Sequence, residues 1–103
     1  VEGGAAADAA DASGATPLYA AAARGCEGAV AGLLAKGADV DRADIYGMTP
    51  LLIASENGHH ATVAKLLSNG ARLDLATKKG NTPLSIAKHK GHAKVVALLE
   101  AHK

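Results

Sequence analysis

The chain has few of the residues that usually fill a globular core or hold one together. Among its 103 residues there are two tyrosines and no phenylalanine or tryptophan. Cys26 is the single cysteine, so the chain cannot form an internal disulfide, which fits a reducing compartment. No apolar run approaches the roughly 18 residues that a membrane span requires, and no signal peptide is visible. We therefore expect a cytosolic or nuclear protein.

Motifs that carry catalysis are missing from the sequence as well. It contains no glycine-rich phosphate-binding loop, no serine nucleophile elbow and no paired-carboxylate motif. Its glycines are spaced for turns rather than for cradling a phosphate. We therefore expect neither enzymatic activity nor a cofactor.

A short pattern recurs at a fixed spacing of 33 residues. The sequence Thr-Pro-Leu occurs three times, beginning at Thr16, Thr49 and Thr82. One glycine lies two residues before each of these threonines, and another lies nine residues after it. A period of this length is typical of a stack of repeats rather than of one globular core.

Each residue of the pattern has a local physical reason. The threonine hydroxyl accepts a free N–H of the first helical turn, and proline suits the first helical position. The first glycine suits a tight turn with positive φ, and the second ends the helix in a left-handed conformation. A second helix follows, with Val30, Leu33 and Leu34 as its apolar residues in the first copy. The pattern therefore predicts turn, helix, turn and helix, and then a polar return such as residues 37–41.

This pattern resembles the ankyrin-repeat family, which has the same period and a T-P-L-H-x-A motif. The resemblance covers residues 4–102. It implies an all-α solenoid of helix-turn-helix units joined by β-hairpin-like turns. The histidine of the motif is replaced by Tyr19, Leu52 and Ser85. In the family that histidine joins neighbouring turns by hydrogen bonds. The sequence therefore does not show how the turns are joined in this chain.

The spacing also predicts where each repeat begins and ends. It divides the chain into repeat 1 (11–43), repeat 2 (44–76) and repeat 3 (77–103). Residues 1–10 align with the end of a repeat, and we expect them to be the tail of a preceding copy. Either a longer array was cut there or the upstream copy decayed, and we favour the cut. Lys88 and Glu100 stand where earlier repeats have apolar or small residues, so we expect repeat 3 to be a C-terminal capping repeat.

The repeats are predicted to differ in stability. The second helix of repeat 1 contains Gly28 and Gly32, each of which costs about 0.5–1 kcal/mol relative to alanine. Repeat 2 is covered on both sides, and we expect it to be the most regular. Its predicted core consists of Leu51, Ile53, Ala54, Val63, Leu66 and Leu67.

Histidine and cysteine are the residues that raise the question of a metal site. His59 and His92 occupy equivalent positions in successive repeats, so they should lie about 10 Å apart, as packed helices do. Shared coordination requires ligands at about 2 Å from one ion. We therefore expect structural histidines and no metal. Cys26 occupies the same position in repeat 1, and we expect it to be a buried, inert thiol.

Charge is unevenly distributed along the chain. Residues 1–47 carry seven acidic and three basic side chains, whereas residues 48–103 carry three acidic and eight basic ones. The net charges are therefore −4 and +5, which become an acidic and a basic end in a linear stack. This distribution is either a solvated surface without a role or a means of attracting a partner that has an acidic stretch. The near-neutral total charge, the lack of an aromatic stacking platform and the lack of arginine near the basic end argue against a nucleic-acid partner.

The family resemblance implies a surface for binding other proteins, formed by the hairpin tips and the exposed side of the first helices. At the central tip, Ile45, Tyr46 and Met48 either contact a partner or are partly buried against neighbouring hairpins. Residues at the implied positions are Ser13, Arg24, Ile45, Tyr46, Met48, Glu56, Asn57, Lys78, Lys79, Asn81, His89 and Lys90.

These patterns favour a monomeric scaffold module that binds another protein and has no small-molecule substrate. One alternative is a regulatory segment of a larger enzyme or channel. A further alternative is a nucleic-acid contact through the basic C-terminal end. Tyr46 is the residue that we expect to dominate partner binding, because a tyrosine buries a large rigid surface.

Overall fold

The computed structural model describes residues 10–102. The expected tail of a preceding repeat lies, except for its last residue, outside the described residues. The described range contains six helices and no strand, which confirms the predicted all-α class. The helices are α1 (Pro17–Arg24), α2 (Glu27–Ala35), α3 (Pro50–Asn57), α4 (His60–Ser68), α5 (Pro83–Lys90) and α6 (Ala93–His102). None of these described helices is both long and apolar enough to cross a membrane.

The first helix of each repeat begins at the predicted threonine. The hydroxyls of Thr16, Thr49 and Thr82 each accept the backbone N–H three residues further on, at 3.2 Å. Proline follows each threonine, where its missing N–H costs no helical hydrogen bond. In repeat 3 the cap is reciprocal, because the Thr82 N–H donates to the Ser85 hydroxyl at 2.9 Å.

The same helices end at the predicted glycines. Gly25, Gly58 and Gly91 have φ values of 71°, 75° and 75°, in the left-handed region where a side chain would be strained. Their N–H groups donate back to carbonyls of the last helical turn. The chain then turns within two residues into the second helix of the repeat.

The helices form two layers that run along the stack. Helix α3 packs between α1 and α5 in one layer, and α4 packs between α2 and α6 in the other. Each first helix also packs on the second helix of its own repeat. The core lies between the layers and includes residues from both helices of every repeat.

The predicted core of repeat 2 is confirmed with one exception. Ile53 is only partly buried, because its side of α3 faces the concave surface of the molecule. Leu52, which the core prediction omitted, is fully buried. The other five predicted residues are buried, namely Leu51, Ala54, Val63, Leu66 and Leu67.

Neighbouring turns are tied by backbone hydrogen bonds. The Ile45 N–H donates to the Ser13 carbonyl at 2.9 Å, and the Lys78 N–H donates to the Tyr46 carbonyl at 3.0 Å. Backbone groups therefore join the turns although the motif histidine is replaced. Within the central turn, the Asp44 carboxylate accepts the N–H groups of Tyr46 and Met48, each at 2.9 Å.

Candidate functional site

A concave groove of about 530 Å³ lies between the hairpin tips and the first helices. It spans repeats 2 and 3, and Tyr19 of repeat 1 closes one side. We call this feature the groove. Its lining residues are Tyr19, Asp44, Tyr46, Met48, Ile53, Glu56, Thr77, Lys78, Lys79, Asn81, Ser85, Ile86, His89 and Lys90.

The apolar part of the groove lies next to the central tip. Tyr46 is 64% exposed and Ile45, beside it, is 50% exposed; they are the large apolar residues most exposed in the described chain. Met48 and Ile53 are partly buried beneath the tip, and Ile86 continues the surface onto α5. An exposed tyrosine is thus continuous with a partly buried apolar floor.

The charged part of the groove is asymmetric. Glu56 lies 3.9 Å from the Lys90 ammonium, measured between Oε2 and Nζ. The Asp44 carboxylate is held by the two N–H groups of its own turn. Within residues 10–102, Lys78 and Lys79 have no ion-pair partner and are exposed. Their two ammonium groups therefore remain available to a ligand.

Tyr19 occupies one of the positions where the family motif has histidine. Burial raises the pKa of its hydroxyl above the ordinary value of 10.0, and the carboxylates of Asp44 and Glu56 raise it further. The hydroxyl therefore stays protonated at neutral pH and can donate a hydrogen bond into the groove. A general base would need a pKa near the working pH, which this group does not have.

The groove brings together eight of the twelve residues that the sequence analysis placed on a partner surface. They are Tyr46, Met48, Glu56, Lys78, Lys79, Asn81, His89 and Lys90. Ile45 is exposed next to the groove without lining it.

Three of the twelve residues lie elsewhere. The Ser13 hydroxyl donates to the Asp11 carboxylate at 2.7 Å within its own turn. Arg24 borders an apolar depression on the outward face of repeat 1, away from the groove. Asn57 donates from Nδ2 to the Ala23 carbonyl at 2.9 Å, which joins repeat 2 to repeat 1.

Several lining residues were missed by the sequence analysis. Ile53 and Ile86 are equivalent positions in successive repeats, and so are Asp44 and Thr77. Tyr19 and Ser85 both occupy the histidine position of the motif. Comparing equivalent positions pairs Ile53 with Ile86 and Asp44 with Thr77, but it would also have included Leu52, which shares the position of Tyr19 and Ser85 and is fully buried.

His59 and His92 have the structural role that the sequence predicts. The ring Nε2 of His59 lies 3.0 Å from the Ala23 carbonyl, and that of His92 lies 2.8 Å from the Glu56 carbonyl. Because a carbonyl oxygen only accepts, Nε2 is the donor in both bonds. Each histidine thus ties its repeat to the preceding one. Residues 10–102 contain no group of three or more side chains placed to hold a metal ion.

The burial predicted for Cys26 is wrong. Its side chain is exposed at the start of α2. The equivalent residues His59 and His92 contact the repeat before their own, whereas no described repeat precedes repeat 1. The thiol therefore lies on an uncovered face.

Comparison with known families identifies the chain. Residues 41–103 match the family described as "Ankyrin repeats (3 copies)", and residues 13–45 match "Ankyrin repeat". The chain belongs to the ankyrin-repeat family. Such repeats are generally protein–protein interaction modules and are typically non-catalytic. No curated protein sequence matches the chain.

Proposed function

We propose that this chain is a non-catalytic scaffold that binds a segment of a partner protein in the groove. The observation that carries the proposal is Tyr46, which is 64% exposed at the central tip and borders the apolar floor of the groove. A large side chain left in water next to a partly buried apolar surface is typical of an interaction site.

The shape and rigidity of the groove support this role. The Asp44 carboxylate fixes the Tyr46 turn through two N–H groups, and the Tyr46 carbonyl accepts the Lys78 N–H of the next turn. A preformed site loses little conformational entropy when a ligand binds. Tyr46 can therefore act as an anchor whose position is already set.

The proposal covers two biological settings. The bound segment belongs either to a separate protein or to a longer chain that contains these repeats as a regulatory part. A nucleic acid is a poorer occupant, because the carboxylates of Asp44 and Glu56 line the same groove and would repel its phosphates.

Selection from a random peptide library on the immobilised protein tests the proposal. Enriched peptides would be synthesised and their affinities measured by isothermal titration calorimetry. We expect Tyr46→Ala to weaken binding by about 2 kcal/mol, or about 30-fold, because truncating a central aromatic anchor has effects of this size. Tyr46→Phe keeps the ring and should bind within a few-fold of the wild type.

A matched control separates the groove from the rest of the surface. His60 is exposed on the side formed by the second helices, and His60→Ala should leave the affinity unchanged. Amide chemical-shift changes on peptide addition should fall on residues 44–56 and 77–90. Shifts confined to α2, α4 and α6, or equal binding by Tyr46→Ala, would contradict the proposed function.

A further inference from the structure

We propose that the segment bound in the groove carries an apolar side chain at Tyr46 and a carboxylate about two residues away, opposite Lys78 and Lys79. The inference rests on the proposed function and specifies its partner chemistry. The occupant is therefore a peptide with an acidic residue beside an apolar anchor, and its acidic end lies over repeat 3.

The first step concerns which charges in the groove are already engaged. Asp44 accepts two backbone N–H groups, and Glu56 is paired with Lys90 at 3.9 Å. Within the described part of the chain, the ammonium groups of Lys78 and Lys79 have no carboxylate partner. A ligand carboxylate would meet these two charges without having to break an existing ion pair.

The second step concerns distance. Lys78 is joined to Tyr46 by a backbone hydrogen bond of 3.0 Å, so the two lysines begin at the hairpin next to the tyrosine. Backbones joined by such hydrogen bonds run about 5 Å apart. An extended chain covers that distance in about two residues. An anchor residue on Tyr46 therefore places the second residue along the peptide near the lysines.

The third step concerns the sign of charge across the groove. The lining carries Asp44 and Glu56 on repeat 2, and the lysines Lys78, Lys79 and Lys90 on repeat 3. The carboxylates of Asp44 and Glu56 would repel a ligand of uniform negative charge, such as an oligonucleotide. A peptide whose acidic residue lies on only one side of its apolar anchor avoids that repulsion.

A charge-reversal selection tests the inference. The same peptide library would be selected on wild type, on Lys78→Glu/Lys79→Glu and on Lys36→Glu/Lys94→Glu. The last variant makes the same change in net charge at exposed lysines outside the groove. Circular-dichroism melting of all three proteins would verify that each is folded.

We expect wild type and the control variant to enrich peptides with aspartate or glutamate about two residues from an apolar residue. The groove variant should instead enrich lysine or arginine at that position and keep the apolar residue. An acidic peptide from the wild-type selection should bind the groove variant at least 10-fold more weakly. Its association with wild type should slow as salt is raised, because exposed charges are screened.

Each remaining outcome has a defined meaning. Peptides that need Tyr46 but show no acidic preference would overturn this inference and leave the proposed function standing. The same holds if the control variant reverses the charge preference as strongly as the groove variant. Peptides that bind Tyr46→Ala as tightly as wild type would overturn both. A single-stranded oligonucleotide that competes with the acidic peptide at equal concentration would overturn the choice of a peptide.

Discussion

Repeats 1 and 2 share a pattern but differ in how much of it is buried. Helices α2 and α4 each have nine residues at equivalent positions. In α4, four residues are buried, namely Thr62, Val63, Leu66 and Leu67. In α2, only Val30 is buried, and Leu33 and Leu34 are partly exposed. Equivalent leucines are thus buried in the core in repeat 2 and partly exposed in repeat 1.

The position of each helix in the stack explains this difference. Helix α4 packs between α2 and α6, whereas α2 has one described second-helix neighbour, α4. In such arrays, stability is close to a sum over neighbouring repeats. How deeply a residue is buried therefore depends on the repeats that flank its own as well as on its position within the repeat.

The largest difference should come from shortening equivalent leucines. Leu66 is fully buried, so Leu66→Ala should lower the free energy of unfolding by about 3 kcal/mol, through lost burial and the cavity left behind. Leu33→Ala, at the equivalent position of α2, should cost about 1 kcal/mol because Leu33 is already partly exposed. Urea titration measures both. Equal losses would show that repeat 1 is as well covered as repeat 2.

A second pair of variants isolates the contact between a histidine and the preceding repeat. Gly58 and Gly91 share a φ of 75°, so Gly→Ala should cost about 1 kcal/mol at either position from backbone strain. A Cβ on Gly58 would lie 2.7 Å from Nδ1 of His92, whereas a Cβ on Gly91 meets nothing within 4 Å. Gly58→Ala should therefore cost about 1 kcal/mol more, from the disturbed histidine hydrogen bond.

Thermal melting of the two variants compares them directly. His92→Ala in the Gly58→Ala background serves as the control, because it removes the ring that the new methyl group meets. The extra cost of Gly58→Ala should then disappear. An extra cost that persists without the ring would mean that the histidine contact is not its source.

Two hydroxyl groups of repeat 2 are buried because neighbouring repeats cover it on both sides. Ser55 Oγ and Thr62 Oγ1 are buried and have no hydrogen-bond partner among residues 10–102. The residue equivalent to Ser55 in repeat 1 is Ala22, and the residue equivalent to Thr62 in repeat 3 is Val95. Ser55→Ala and Thr62→Val should each raise the free energy of unfolding by about 1 kcal/mol, since an unpaired buried polar group is costly. A loss of stability in chemical denaturation would contradict this reading.

The smallest effects should come from filling the glycines of α2. In the described part of the chain, nothing lies within 4 Å of a Cβ on Gly28 or Gly32. Gly28→Ala and Gly32→Ala should each stabilise the chain by about 0.5–1 kcal/mol. Hydrogen exchange should show residues 17–35 less protected than residues 50–68 in wild type, and the double variant should narrow that gap. Greater protection of repeat 1 in wild type would contradict the order of stability.

Features set by local chemistry could be predicted from the sequence. Threonine caps, proline at the first helical position and glycine in the left-handed region act within a few residues, so the start and end of the first helix in each repeat were predicted correctly. Eight of the residues that line the groove were among the positions implied by the family resemblance, which sequence periodicity alone does not supply.

Features that depend on neighbouring repeats could not be predicted in the same way. Ile53 and Leu52 are adjacent apolar residues, and only the packing of α3 between α1 and α5 decides that Leu52 is core and Ile53 lines the groove. Cys26 is exposed for a related reason, since the covering element would have to come from outside its own repeat. Periodicity identifies equivalent positions but does not say how many neighbours each one has.

The contact of His59 with Gly25, repeated by His92 with Gly58, bears on how such a chain can change its length. Both contacts join equivalent positions one period apart. Loss of residues 44–76 through recombination would bring His92 to the place of His59, where it would meet Gly25 and the Ala23 carbonyl. Duplication of the same 33 residues would create one more such contact. Deletion of part of a repeat would separate the histidine from the glycine and carbonyl that it contacts. The contact therefore favours the gain or loss of complete 33-residue repeats.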